Sequence, residues 1–135
     1  MNNVKKKYLT VKNRYCIVVN VMEEKVRLGF LLDFYGELLN EHQRSVLRDY
    51  ACDDFSLSEI ADERGISRQG VHDLIKRCSK KLEGYEESLG LLERFLKIRD
   101  DAAEIKKALN IFMVDKDMAH ITEIEMRADR IIDRL

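Results

Sequence analysis

Apolar residues return along residues 23–39 at the three- and four-residue intervals of an amphipathic helix. Val26, Phe30, Phe34 and Leu38 form the stripe, and Leu31, Tyr35 and Leu39 widen it. Asn40 breaks the run and, with Gln43 three residues on, has the spacing of a capping box. A second helix is therefore predicted over about 41–53, with Leu47, Tyr50 and Ala51 facing a core and Asp53-Asp54 ending it. Two further helices are expected over about 57–64 and 68–83, and Gly84 is read as the stop of the second. A long helix follows from about 86 to 113 and a last one over about 118–134, with Asp115-Lys116-Asp117 as the hinge. Leu82, Leu89, Leu92, Leu96 and Ala103 keep a heptad-like spacing that Arg99 interrupts. The last helix shows Ile121, Ile124, Ala128, Ile131 and Leu135. Neither helix can bury its stripe alone, so Leu89, Leu92 and Leu96 are expected to form an interface, with a homodimer as one outcome.

The segment Leu57 to Lys76 (LSEIADERGISRQGVHDLIK) satisfies the steric requirements of a helix-turn-helix, two short helices crossing steeply through a tight turn. A small residue is needed where the helices touch, and Ala61 is there. The turn needs a residue that tolerates positive φ, and Gly65 follows four residues later. Ile66 is expected to plug the corner, while Ile60, Val71 and Leu74 line the inner faces. Ser56 with Glu59 has capping-box spacing, and Ser67 can cap the second helix.

Composition changes the picture in two ways. With 36% charged and 45% apolar residues, no Pro and no Trp, the 135-residue chain fits an all-helical protein with a real core. Cys16, Cys52 and Cys78 are odd in number, far apart and without a His at ligand spacing. That argues against a disulfide framework or zinc site and fits a reducing cytoplasm, and Cys78 reads as a core residue. No apolar run approaches the roughly 18–20 residues that cross a bilayer.

The net charge of −1 conceals an asymmetry. Residues 1–21 hold five Lys/Arg and no acid, whereas 22–55 hold four bases against eight acids. Residues 56–84 have six against five, and 85–135 have nine against twelve. An acidic body weakens the electrostatic attraction that dominates nucleic-acid affinity. The first 21 residues are set apart as a basic extension, with Lys5-Lys6-Lys7 ahead of the apolar Cys16–Val21. They resemble a signal peptide only weakly; a basic arm, a loose strand and a translation artefact stay open, with Met22 a candidate natural start.

Candidate chemistry is sparse. There is no Gly-rich phosphate loop, nucleophile elbow or metal-ligand spacing, so no enzyme activity, cofactor or metal is expected. His42, His72 and His120 fall in polar surroundings on separate helices. Glu86-Glu87, Asp100-Asp101 and Asp129/Asp133 read as solvated faces, with Glu123–Arg127 and Arg130–Asp133 as helical ion pairs. What remains is the outer side of the second motif helix. Arg68, Gln69, His72 and Lys76 point outward, with Arg77, Lys80 and Lys81 further along. Arg68 could pair with guanine and Gln69 with adenine, and the cations with phosphates. Asp73 on the same side would repel phosphate, and a plain solvated surface stays the alternative.

The stretch LLDFYGELLNEHQ followed by RSVLRDYACDDFSLSEIADERGISRQGVHDLIKRCSKKLEGYEESLGLLERF resembles the YlxM family, the UPF0122 proteins, over about residues 22–99. The resemblance implies a helical unit like the fourth region of bacterial sigma factors. Its members are typically encoded beside the GTPase subunit of the signal recognition particle and are regarded as accessory or regulatory proteins of that pathway. Gly70 stands where the family usually has Ala, and His72 where it usually has Tyr. Nothing corresponds to the promoter-melting region of a sigma factor.

The expectation is thus an all-α, cytoplasmic protein in three parts: the extension 1–21, a sigma-region-4-like helix-turn-helix domain 22–84, and a C-terminal helical arm 85–135. By resemblance its partner would be the particle's GTPase subunit or its RNA. A DNA-binding transcriptional regulator and a protein adaptor are the alternatives.

Overall fold

The structure is a computed structural model and describes residues 23–135; the basic extension, Cys16 and Met22 lie outside them. Six α-helices and no strand occur among the described residues. They are α1 (Glu24–Tyr35), α2 (Glu41–Ala51), α3 (Leu57–Arg64), α4 (Arg68–Leu89), α5 (Leu91–Asp115) and α6 (Ala119–Arg134), with a 3-10 turn at Gly36–Leu38. The chain forms two compact units, one ending at Leu92 and the other spanning Glu93–Leu135.

Local chemistry sets the helix starts of the first unit. Asn40 accepts from the Gln43 backbone N–H at 2.9 Å while the Gln43 side chain accepts from Asn40 N–H, so both orphan donors at the start of α2 are satisfied. Ser56 and Glu59 do the same for α3. Helix α4 packs against α1, α2 and α3, and its inner residues Val71, Leu74, Ile75, Cys78 and Leu82 are all buried. In α1 the buried line is Leu28, Leu31 and Tyr35, followed by Leu39, a rotation from the expected stripe. Val26, Phe30 and Phe34 are half-buried and Leu38 is exposed. Packing against both α2 and α4 selects this face. On α2 the buried pair is Val46 and Leu47, with Tyr50 and Ala51 at the margin.

The boundary expected at Gly84 falls instead at Gly90. Helix α4 runs through Gly84, whose missing side chain costs up to about 1 kcal/mol in a helix interior. Burial of Leu82 and anchoring of Glu86 on the same face outweigh that cost. Gly90 ends the helix with φ +62°, the left-handed conformation glycine adopts without strain. Glu86, expected on a solvated face, is buried. The Tyr35 hydroxyl donates to its Oε2 at 2.5 Å and the Leu92 N–H at 3.0 Å, so the carboxylate caps the start of α5.

In the second unit, Glu93 to Asp115 of α5 and all of α6 form an antiparallel hairpin. The turn falls at the expected hinge: Lys116 takes φ +57°, and Asp117 accepts from the Ala119 N–H at 2.9 Å. Asp101, also expected in solvent, is only 6% exposed. Arg127 donates to it at 3.1 Å, Arg134 pairs with it, and Arg130 lies at 3.7 Å. Arg127 also bonds Glu123 as its spacing predicted, whereas Arg130 turns to Asp101 rather than Asp133. No residue of α6 is buried.

Candidate nucleic-acid interface

Helices α3 and α4 make the helix-turn-helix. Gly65 takes φ +64° and ψ +31°, its N–H bonding the Ala61 carbonyl, so the chain reverses within one residue. Ala61 is buried at the crossing, and Ile60 and Val71 are fully buried beneath it. Ile66 does not plug the corner: it is 38% exposed, because the small Ala61 lets the helices close beneath it. Ser67 accepts from the Gly70 N–H at 2.9 Å, capping α4. A Cβ at Gly70 would sit 3.0 Å from the Ser67 hydroxyl, so glycine here leaves the cap its room.

One fixing contact has no sequence signature. Arg64, the last residue of α3, donates to Asp49 at 2.5 Å and to Ser45 at 2.7 Å, pinning the first motif helix to α2. Only the fold brings that Arg to those acceptors; the residues themselves look like ordinary surface polars.

All seven residues expected to meet nucleic acid, Arg68, Gln69, His72, Lys76, Arg77, Lys80 and Lys81, are exposed. Gln69, His72, Lys76 and Lys80 lie opposite the buried line of α4, with Arg68, Arg77 and Lys81 at the flanks. Neighbouring acids are engaged elsewhere: Glu83 holds Arg27 through two 2.6 Å bonds, and Glu59 is tied into the α3 cap. The backbone and hydroxyl of Ser56 hold the Glu59 carboxyl below its ordinary range. Among the described residues, no ion pair engages Arg68, Lys76, Arg77, Lys80 or Lys81. Asp73 is the exception on this face. It accepts from Gln69 Nε2 at 2.9 Å and faces His72 Nδ1 at 3.4 Å, occupying the two side chains best suited to read bases.

The residues expected as an interface separate. Leu89 is 52% exposed, but Leu92 and Leu96 are each 1% exposed within the single chain, so neither offers a surface to a partner. Cys78 is buried, and burial pushes its thiol pKa up. No group of three or more His, Cys, Asp or Glu among the described residues could hold a metal, and none of their helices is long and apolar enough to cross a membrane.

Fold and turn together define a helix-turn-helix protein. The profile of a family described as "UPF0122: Putative helix-turn-helix protein, YlxM / p13 like" matches residues 22–123, and the chain belongs to that family. A UPF0122 protein of Clostridium kluyveri is 43% identical over 104 residues, covering 77% of this chain and 94% of its own. One from Clostridium acetobutylicum is 45% identical over 108 residues, covering 77% and 93%. A third, from Shouchella clausii, is 46% identical over 89 residues, covering 66% and 82%.

Proposed function

We propose that this chain is a non-enzymatic, cytoplasmic accessory factor of the signal recognition particle pathway that binds the particle's RNA through the outer face of α4. The observation that carries the reading is the row of five exposed cations without ion pairs, Arg68, Lys76, Arg77, Lys80 and Lys81. Such a row attracts a phosphate backbone by releasing counterions. Asp73 counts against base reading, because Gln69 and His72 must leave it before either can reach a base edge. The pathway itself rests on the resemblance to the YlxM family.

A DNA-binding regulator is the second reading. Arg68 and Gln69 occupy the first turn of the second motif helix, where this motif meets base edges in the major groove. Titrating labelled full-length chain with the particle RNA, with excess random duplex DNA present, separates the two. Binding should survive the competitor and weaken steeply with salt. Lys76→Ala and Arg77→Ala should each flatten the salt slope by about 1. Loss of binding to the competitor would transfer the face to DNA, and salt-independent binding would remove nucleic acid from it.

A further inference from the structure

Gly84 lies inside α4, where glycine is the poorest helix former after proline, yet neither its conformation nor its packing calls for one. Positive φ falls at Gly65 and Gly90, whereas Gly84 is ordinary helix. Among the described residues, a Cβ built on Gly84 would meet no atom within 4 Å, so no neighbouring element packs into the space. The residue is exposed and shares the outer side of α4 with the cations. Lys80 stands about one turn before it and Arg77 about two, and Lys80 and Lys81 flank its line on either side. Gly84 is thus the bare step at the C-terminal end of the block formed by Lys76, Arg77, Lys80 and Lys81. A position without a side chain is what lets a ligand approach a backbone closely.

Charge sets which part of the motif a phosphate strand meets. In a helix-turn-helix that reads DNA, the first helix crosses the phosphate backbone. Here α3 exposes Glu59, Asp62 and Glu63, and Asp73 follows on α4. Those carboxylates repel phosphate at the turn end of the motif, while Lys76, Arg77, Lys80 and Lys81 attract it further along α4. The attracting block and the open glycine therefore lie together, away from the repelling end. We propose that Gly84 is a contact residue of this face: a phosphate strand of RNA runs along α4 from Lys76 and passes close over the bare backbone at Gly84, within reach of Lys80 and Lys81. The inference rests on the RNA reading of α4 and adds to it a residue that carries no charge.

The test measures binding of labelled particle RNA against salt concentration for the full chain, unaltered and as Gly84→Ala and Gly84→Leu. Both replacements place a better helix former at an open position, so each should unfold in urea at or above the unaltered midpoint. Gly84→Leu should weaken RNA binding about tenfold and flatten the salt slope by about 1, because the strand is held off Lys80 and Lys81. Gly84→Ala adds a single methyl and should fall between the two. Should Gly84→Leu unfold early, Gly84→Ala decides by the same two readings. Replacements that leave affinity and slope as in the unaltered chain would overturn the inference and leave the α4 reading standing. Weakened binding at an unchanged slope would overturn it as well, since the phosphate contacts would then be intact. An unaltered chain that binds no RNA, or binds it independently of salt, would remove both.

Discussion

Each unit buries one carboxylate, and the two are treated in opposite ways. In the first, Glu86 sits at the edge of a dense apolar core and is bonded by a phenol and a backbone N–H. In the second, Asp101 takes the place of a core and is held by Arg127, Arg130 and Arg134. The first unit has apolar burial to spare, so its carboxylate can serve a local task, capping α5. The second has almost none, so its fold rests on charge, whose attraction in a low-dielectric pocket must exceed the cost of desolvating the ions. Uniqueness in one comes from packing and in the other from an arginine clasp.

The contrast is broken most forcefully from the packed side. Leu82 is fully buried, and Leu82→Ala should cost about 2–5 kcal/mol through lost transfer energy and the cavity left behind. Urea unfolding followed by far-UV dichroism reads that loss. A cost under about 1 kcal/mol would mean that the first unit is not held by its core.

Asp101→Asn attacks the clasp. The amide keeps the shape but leaves three cations around a neutral group. Breaking a fully buried pair by removing one partner costs about 3–5 kcal/mol, and partial exposure of Arg130 and Arg134 lowers that to about 2–3 here. Hydrogen exchange should show the loss in α6 and the facing part of α5, with α1–α4 protection unchanged. Equal loss in both units would erase the distinction between them.

How much of this the sequence foretold follows the range of the interactions. The three N-caps, the Gly65 turn and the 115–117 hinge are encoded within four residues of chain and were all legible. The stop at Gly90 was not, because whether Gly84 ends a helix depends on what Leu82 and Glu86 meet from α1. Pattern gave α1 a stripe but not its rotation, since two neighbouring helices choose the face. Buried carboxylates were invisible for the same reason: Glu86 needs Tyr35, 51 residues away, and Asp101 needs Arg134, 33 residues on. The α4 face was readable residue by residue, but Asp73 holding Gln69 and His72 together was not.

Tyr35→Phe gives the gentlest test, because it asks whether Glu86 is an accessory to the core or a support for it. The variant keeps the ring and removes one donor, so the buried carboxylate retains the Leu92 N–H but loses the phenol. At neutral pH that should cost about 1–2 kcal/mol, less than either change above. The phenol also supplies its own control. Burial away from water, then the bond to Glu86, hold its pKa above the ordinary value of 10.0. The folded state therefore favours the protonated phenol, and its contribution is full below about pH 10. As pH rises from there through the raised folded value, the contribution is lost, and the native chain should weaken toward the variant. The stability gap between the two, measured in urea from pH 8 to 11, should therefore be flat at first and then close. A gap that persists unchanged at pH 11 would mean that the difference between the two chains does not depend on the protonated phenol donating to Glu86, and that Glu86 owes its burial to the backbone of α5.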